Sequence, residues 1–263
     1  MRAGVAGQPI TQSLSPLLHS AWIAATGLDA TYEAFGPADE AGFAALVAEV
    51  RAGRLRGLNV TAPFKEQALA LADEVSATAR DCGSANLLVF EAGRLTTDST
   101  DGRGLMGALA DQAPELNVAG KPVVILGAGG AARAGAAALR DAGARVGILN
   151  RTQARADALA GDLGVSVVGA DALHEAALVV NALSVRPEID LAVLPADAVV
   201  MDMTYRPLIT PFLSEARARG LTIVDGLAML IGQAVPSFEA FFGQTPPAVD
   251  VRAKALAVLG EAG

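Results

Sequence analysis

The run "VVILGAGGAAR", Val123 to Arg133, leaves its backbone few choices. Four apolar residues read as a buried strand, the glycines impose a turn, and the alanine-rich continuation reads as a helix. Gly127, Gly129 and Ala132 fall in the GxGxx(G/A) spacing directly between the two. Each position has a physical duty. Gly127 permits a tight turn, Gly129 lets backbone approach a pyrophosphate, and Ala132 allows close packing of the helix, whose N-terminus attracts the anion. The turn formed by Gly127, Ala128, Gly129, Gly130 and Ala131 is therefore a candidate dinucleotide cradle. An ordinary glycine turn is the bland alternative, and the strand before and helix after it weigh against that.

About 20 residues onward, an NAD site places an acid at the end of the second strand to bind the ribose hydroxyl. Here the chain reads "LNRTQAR". Asn150 and Thr152 offer hydrogen-bonding groups, and Arg151 and Arg155 offer cations suited to a 2′-phosphate. The expected cofactor is NADP(H), although both arginines also fit as solvated surface charges.

Strands and helices alternate along nearly the whole chain, the pattern of α/β architecture with largely parallel sheets. The reading predicts strands at 4–6, 31–35 and 57–60 and a hairpin joined at 91–93. Helices are expected over 16–26, 39–51 and 63–71. In the second part, strands are expected at 145–149, 165–168, 178–182, 199–203 and 221–224. This outlines an N-terminal α/β domain and a Rossmann-type, doubly wound nucleotide domain. The expected division is 1–102 with C-terminal helices 227–263 for the first, and 103–226 for the second.

A hydrophobic fraction of 52% over 263 residues supplies ample core, and a net charge of -8 disfavours nucleic acid or an anionic membrane as partner. The uncharged run from Gly226 to Phe238 is too short to span a bilayer. Cys82 is the sole cysteine, which excludes internal disulfides and cysteine metal clusters. Polar residues from Gln8 to Pro16 break any secretory apolar core, so a cytoplasmic protein is expected. His19 and His174, the only histidines, read as packed or solvated side chains, and no metal site is expected.

"LNVTAPFKEQALAL" places Lys65 in the first turn of a helix taken to begin at Pro63. A cation there opposes the helix dipole, at a cost of up to about 1 kcal/mol. In "TTDSTDG", Asp101 stands at another expected helix start. The pair is a candidate for chemistry, while a surface lysine and a first-turn aspartate are the plain alternatives.

The ordered motifs "SLSP", "NVTAPFK", "SAN", "STDG", "GAGGAAR", "NRT", "DMTYRPLIT" and "GLAMLIGQ" span nearly the full length, and together they resemble the shikimate dehydrogenase family. The resemblance implies a substrate domain completed by the C-terminal helices, an NADP domain and a cleft between them. It implies hydride transfer between NADPH and the ketone of 3-dehydroshikimate, giving shikimate, with Lys65 and Asp101 assisting proton transfer. Ser13 and Ser15 are implied as donors to the substrate carboxylate, Thr61 and Asn86 as contacts of the ring hydroxyls, and Tyr205 and Gln233 as further substrate contacts. A monomer or homodimer is expected.

Some positions depart from the family pattern. Ser20 and Ser99 replace asparagines, and Leu87 replaces the threonine after Asn86. In "NALSVRPE", Leu183 and Arg186 stand where the family has a small polar residue and a glycine, near the expected nicotinamide. Alternatives on the same frame are an enzyme that also oxidises quinate, and a catalytically retired NADP(H)-binding regulator.

Overall fold

A computed structural model describes residues 1–260. The chain forms two compact units, one made of Met1–Thr100 with the segment from Gln233 onward, the other of Asp101–Gly232.

The first unit contains β1 (Arg2–Ala6), α1 (Ser15–Thr26), β2 (Thr31–Phe35), α2 (Glu40–Arg51), β3 (Gly57–Val60), α3 (Lys65–Leu71), β4 (Glu74–Val75), α4 (Ala77–Cys82), β5 (Leu87–Glu91) and β6 (Arg94–Asp98). Its sheet has the order β2-β1-β3-β5-β6-β4. The β2-β1-β3 block is parallel, and β5 pairs antiparallel with both β3 and β6. Local chemistry sets several boundaries. Asp39 caps α2 by accepting the Gly42 N–H at 2.8 Å, and Ala92 and Gly93 form a two-residue turn with φ of 51° and 80° between β5 and β6.

The helix carrying Lys65 corrects one expectation. It begins at Lys65, whereas Pro63 lies before it, after a cis peptide bond from Ala62. The short β4 and α4 were not expected at all. Their few residues carry no sustained apolar period, and β4 is defined by its pairing with distant β6.

The second unit contains α5 (Asp101–Gln112), β7 (Pro122–Leu126), α6 (Gly130–Asp141), β8 (Arg145–Leu149), α7 (Gln153–Leu163), β9 (Ser166–Val167), β10 (Leu178–Asn181), β11 (Val199–Asp202), α8 (Pro211–Ala218) and β12 (Thr222–Val224). Its sheet is wholly parallel in the order β12-β11-β10-β7-β8-β9, the doubly wound arrangement. Both faces are covered. Val123 and Ile125 enter the core beneath α5 and α6, while Val124 and Leu126 pack with Phe212 and Leu213 of α8 on the other face. After β12, α9 (Gly226–Phe242) carries the chain from the second unit into the first, and α10 (Val251–Leu259) follows. Among the described residues no helix is long and apolar enough to cross a membrane.

An aromatic cluster in the first unit surrounds His19, which is fully buried. Its ring stacks on Tyr32 with centroids 4.0 Å apart and planes 1° from parallel, and Trp22 meets it edge-on at 5.5 Å. Burial lowers the His19 pKa from 6.5 to about 3, so the folded state keeps this imidazole neutral. His174 instead lies exposed in a short 3-10 turn, Ala170–Glu175.

A depressed folded pKa means that the unfolded chain takes up the proton first as pH falls. The His19 contribution to stability is therefore complete above pH 6.5 and declines toward pH 3. His19→Phe is expected to flatten this acid-side loss, visible as a shallower fall of Tm than in the parent protein across the same range.

Candidate active site

Two regions of chemistry are built at the C-terminal ends of parallel strands, one in each unit. In the second unit, β7 leads into Gly127, whose φ of 115° suits glycine. A Cβ there would lie 3.0 Å from Leu183 Cδ2, so the fold itself demands the glycine. Gly129 is different. It has an ordinary φ of -96°, and an added Cβ would meet nothing within 4 Å. Gly129 is the N-cap of α6, which starts at Gly130, and open space at a helix N-terminus is what the approach of a pyrophosphate needs. Ala131 is exposed at the same turn and Ala132 is fully buried beneath it.

The Gly127 N–H donates to the Leu149 carbonyl at 2.9 Å, which brings the end of β8 beside the glycine turn. Asn150 Nδ2 donates to the Thr152 carbonyl at 2.9 Å and shapes the start of α7. Arg151, Thr152 and Arg155 are all exposed along this rim. The residues present thus fit a dinucleotide with a phosphorylated ribose.

The altered loop after β10 is anchored at both ends. Buried Asn181 accepts the Leu183 N–H at 3.1 Å through Oδ1, and Arg186 pairs with Glu215 of α8 at 2.6 Å. Leu183, against Gly127, takes part in shaping the turn, a role its sequence position alone did not reveal. Tyr205 follows β11, where Asp202 accepts the Thr204 N–H at 3.0 Å and the Thr210 hydroxyl at 2.8 Å. Asp202 is 2% exposed, so these bonds hold the loop bearing Tyr205 from below.

In the first unit, Lys65 opens α3 and is partly buried. Its carbonyl accepts the Ala85 N–H at 2.9 Å, which joins α3 to the segment containing Asn86. Asn86 is 3% exposed. Its Oδ1 accepts the Thr100 N–H at 2.7 Å, and its Nδ2 donates to Gln233 Oε1 at 2.9 Å and to the Thr100 hydroxyl at 3.0 Å. Thr61 follows β3 and donates its N–H to the Ala6 carbonyl at 2.8 Å. Ser13, in the turn leading into α1, and Ser15, the first residue of that helix, are partly buried, and the Ser15 N–H donates to Ser13 Oγ at 3.3 Å. Asp101 belongs to the second unit, where it is the first residue of α5 and is 6% exposed. The hydrogen bonds thus join Asn86 directly to Gln233, with Lys65 one backbone contact away. Ser13 and Ser15 form their own local pair.

Next to Asn86 lies a set of polar residues to which the motifs assigned no role, although Asn59 opens the "NVTAPFK" stretch. Asn59, in β3, bonds to Tyr32, to the Asn86 carbonyl and to Ser237 of α9. The only local signs were an asparagine in an apolar strand and a serine in an apolar helix.

Comparison with known proteins decides the family. The shikimate dehydrogenase substrate binding domain matches residues 5–88, the shikimate / quinate 5-dehydrogenase domain 108–185, and the shikimate 5'-dehydrogenase C-terminal domain 226–256. The chain belongs to the shikimate dehydrogenase family. Shikimate dehydrogenase (NADP(+)) of Caulobacter vibrioides strain NA1000 / CB15N is 55% identical over 273 residues, covering 98% of this chain and 95% of that protein. The shikimate 5-dehydrogenase of Thermus thermophilus, solved in complex with NADP(H) and shikimate, matches with a TM-score of 0.90 at 37% identity, over 98% of this chain and 99% of that one. Quinate dehydrogenase from Corynebacterium glutamicum, in complex with NAD, matches with a TM-score of 0.85 at 31% identity, over 98% and 99%.

Because nothing in the protein crowds Gly129, Gly129→Ala tests the cofactor contact expected of it as distinct from the fold. The variant is expected to melt within about 1 kcal/mol of the parent protein, since no buried contact changes. Its affinity for NADPH, measured by fluorescence titration, is expected to fall about tenfold or more, equivalent to roughly 1.4 kcal/mol.

Proposed function

We propose that this member of the family interconverts 3-dehydroshikimate and shikimate using NADP(H). The observation that carries the reading is a chain 55% identical, over 98% of its length, to a shikimate dehydrogenase (NADP(+)), with a partly buried amide pair next to the lysine-bearing helix. NADPH supplies the hydride when bound, through the nicotinamide.

The remaining work belongs to side chains. Reduction of a ketone builds negative charge on its oxygen, which needs a nearby cation and then a proton. Lys65 is assigned both duties, and Asp101 is assigned to the same proton transfer. Asn86, Gln233 and Thr61 orient the ring hydroxyls, Ser13 and Ser15 bind the carboxylate, and Tyr205 is a further substrate contact. Hydroxyl and amide partners discriminate strongly among substrates, because a ligand that lacks the matching group leaves them unpaired in a buried site.

Arg151, with Asn150, Thr152 and Arg155, is assigned to the 2′-phosphate. A guanidinium bonds a phosphate through two parallel N–H groups, a geometry that NADH has no means to use. The absence of an acid at the end of β8 supports the same preference.

The direct test is purified protein with each pairing of shikimate or quinate and NADP or NAD, followed by absorbance of the reduced cofactor. Turnover is expected with shikimate and NADP. Comparable turnover with quinate and NAD would replace this reading with the broader enzyme, and no turnover in any pairing while NADPH binds would favour a retired regulator. Lys65→Ala is expected to lower kcat about 100-fold or more, the scale of a positioned proton donor, with NADPH affinity retained. Unchanged kcat would remove Lys65 from the chemistry. Arg151→Ala is expected to weaken NADPH by about 10- to 100-fold and NADH far less, the scale of hydrogen bonds to a charged group. Equal weakening would remove the phosphate contact.

A further inference from the structure

The orientation of the Asn59 side chain follows from the chemistry of its neighbours. Ser237 commits its hydroxyl proton to the Gln233 carbonyl at 3.1 Å, so at 2.8 Å from Asn59 it acts as acceptor. The Asn86 carbonyl, at 3.1 Å, is an acceptor by nature. Both contacts require Nδ2. The Tyr32 hydroxyl then donates to the remaining Oδ1 at 2.7 Å. Burial raises the Tyr32 pKa well above 10, which keeps that proton in place.

One side chain therefore grips the backbone of Asn86 directly and the backbone of Gln233 through Ser237. Those two residues meet at 2.9 Å through their own amides, with Gln233 turning Oε1 toward Asn86. A hydrogen bond of this length tolerates little error, and each half is borne by a different segment of chain. We infer that Asn59, oriented by Tyr32, is a positioning residue that holds Asn86 and Gln233 in register for binding the substrate ring; this rests on the proposed role of that pair as substrate contacts.

The consequence for polarity is specific. With Oε1 committed to Asn86, Nε2 is the end of Gln233 that offers protons, which suits the lone pairs of a substrate hydroxyl. Loss of register would loosen that donor without touching Lys65 or the dinucleotide turn. It would thus act on the binding of shikimate more than on the chemical step.

Asn59→Asp keeps the shape and removes both N–H donors. Tyr32→Phe keeps the ring that stacks on His19 and removes the proton that orients Asn59. Shikimate KM is expected to rise about tenfold or more in the first and about three- to tenfold in the second, with kcat falling by a smaller factor and NADP KM within about twofold of the parent protein. Gln233→Ala serves as the reference for the pair itself and is expected to raise shikimate KM. If it does so while both relay variants keep shikimate KM within about twofold, the inference is overturned and the assignment of Gln233 stands. An NADP KM that rises in step with shikimate KM overturns it as well, since that marks general damage. If Gln233→Ala leaves shikimate KM unchanged, the assignment of Gln233 fails first. Should Asn59→Asp not fold, Tyr32→Phe decides by the same criteria.

Discussion

A buried side-chain amide must satisfy each N–H and C=O it carries, or forfeit about 1–3 kcal/mol for each group left unpaired. Asn86 meets this demand at the two places where the chain leaves and re-enters the first unit. Its amide bonds to Thr100, the last residue before the chain passes to the second unit, and to Gln233, the first residue on its return. Its carbonyl also accepts from Val60 at 2.8 Å and from Asn59. Asn86 is thus one of the links that close a unit assembled from two distant pieces of chain, together with Asn59 on Ser237 and the rings packed on Phe238.

That closure explains why site and fold are hard to separate in the first unit. Lys65 is placed by a backbone bond to Ala85, next to Asn86, and Thr61 continues from the strand whose last residue, Val60, donates to the Asn86 carbonyl. Asn86 therefore sits between the two backbone bonds that seat the segments bearing Lys65 and Thr61. The aromatic cluster of His19, Trp22, Tyr32 and Phe238 gives this frame a dry base, where a neutral imidazole stacks on the phenol that bonds to Asn59.

Features encoded by neighbouring residues were legible from the chain. The glycine turn after Leu126 and the hairpin at Ala92 and Gly93 each use chemistry contained within a few residues. Pro63 misled for a related reason, since proline suits both a first helical position and a turn ahead of one, and only the backbone distinguishes them. Strand β4 lacked a period because it has too few residues to show one. The Asn59 relay was not readable at all. Its partners lie 27 and 178 residues away, and no local pattern predicts that an asparagine in a strand will bond to a serine in the C-terminal helices.

The cofactor turn shows how one motif divides between folding and function. Gly127 is demanded by its own backbone and by the Leu183 side chain, so the fold would select it in the absence of any ligand. Ala132, fully buried, answers to helix packing. Gly129 has neither reason: its backbone is ordinary and its surroundings are open. A glycine that the fold leaves unexplained, at the N-terminus of a helix and beside an arginine-bearing rim, is what the proposed approach of a dinucleotide would call for. The matching GxGxx(G/A) spacing joins these three demands in one stretch, and the position that owes nothing to the fold carries the most information about the ligand.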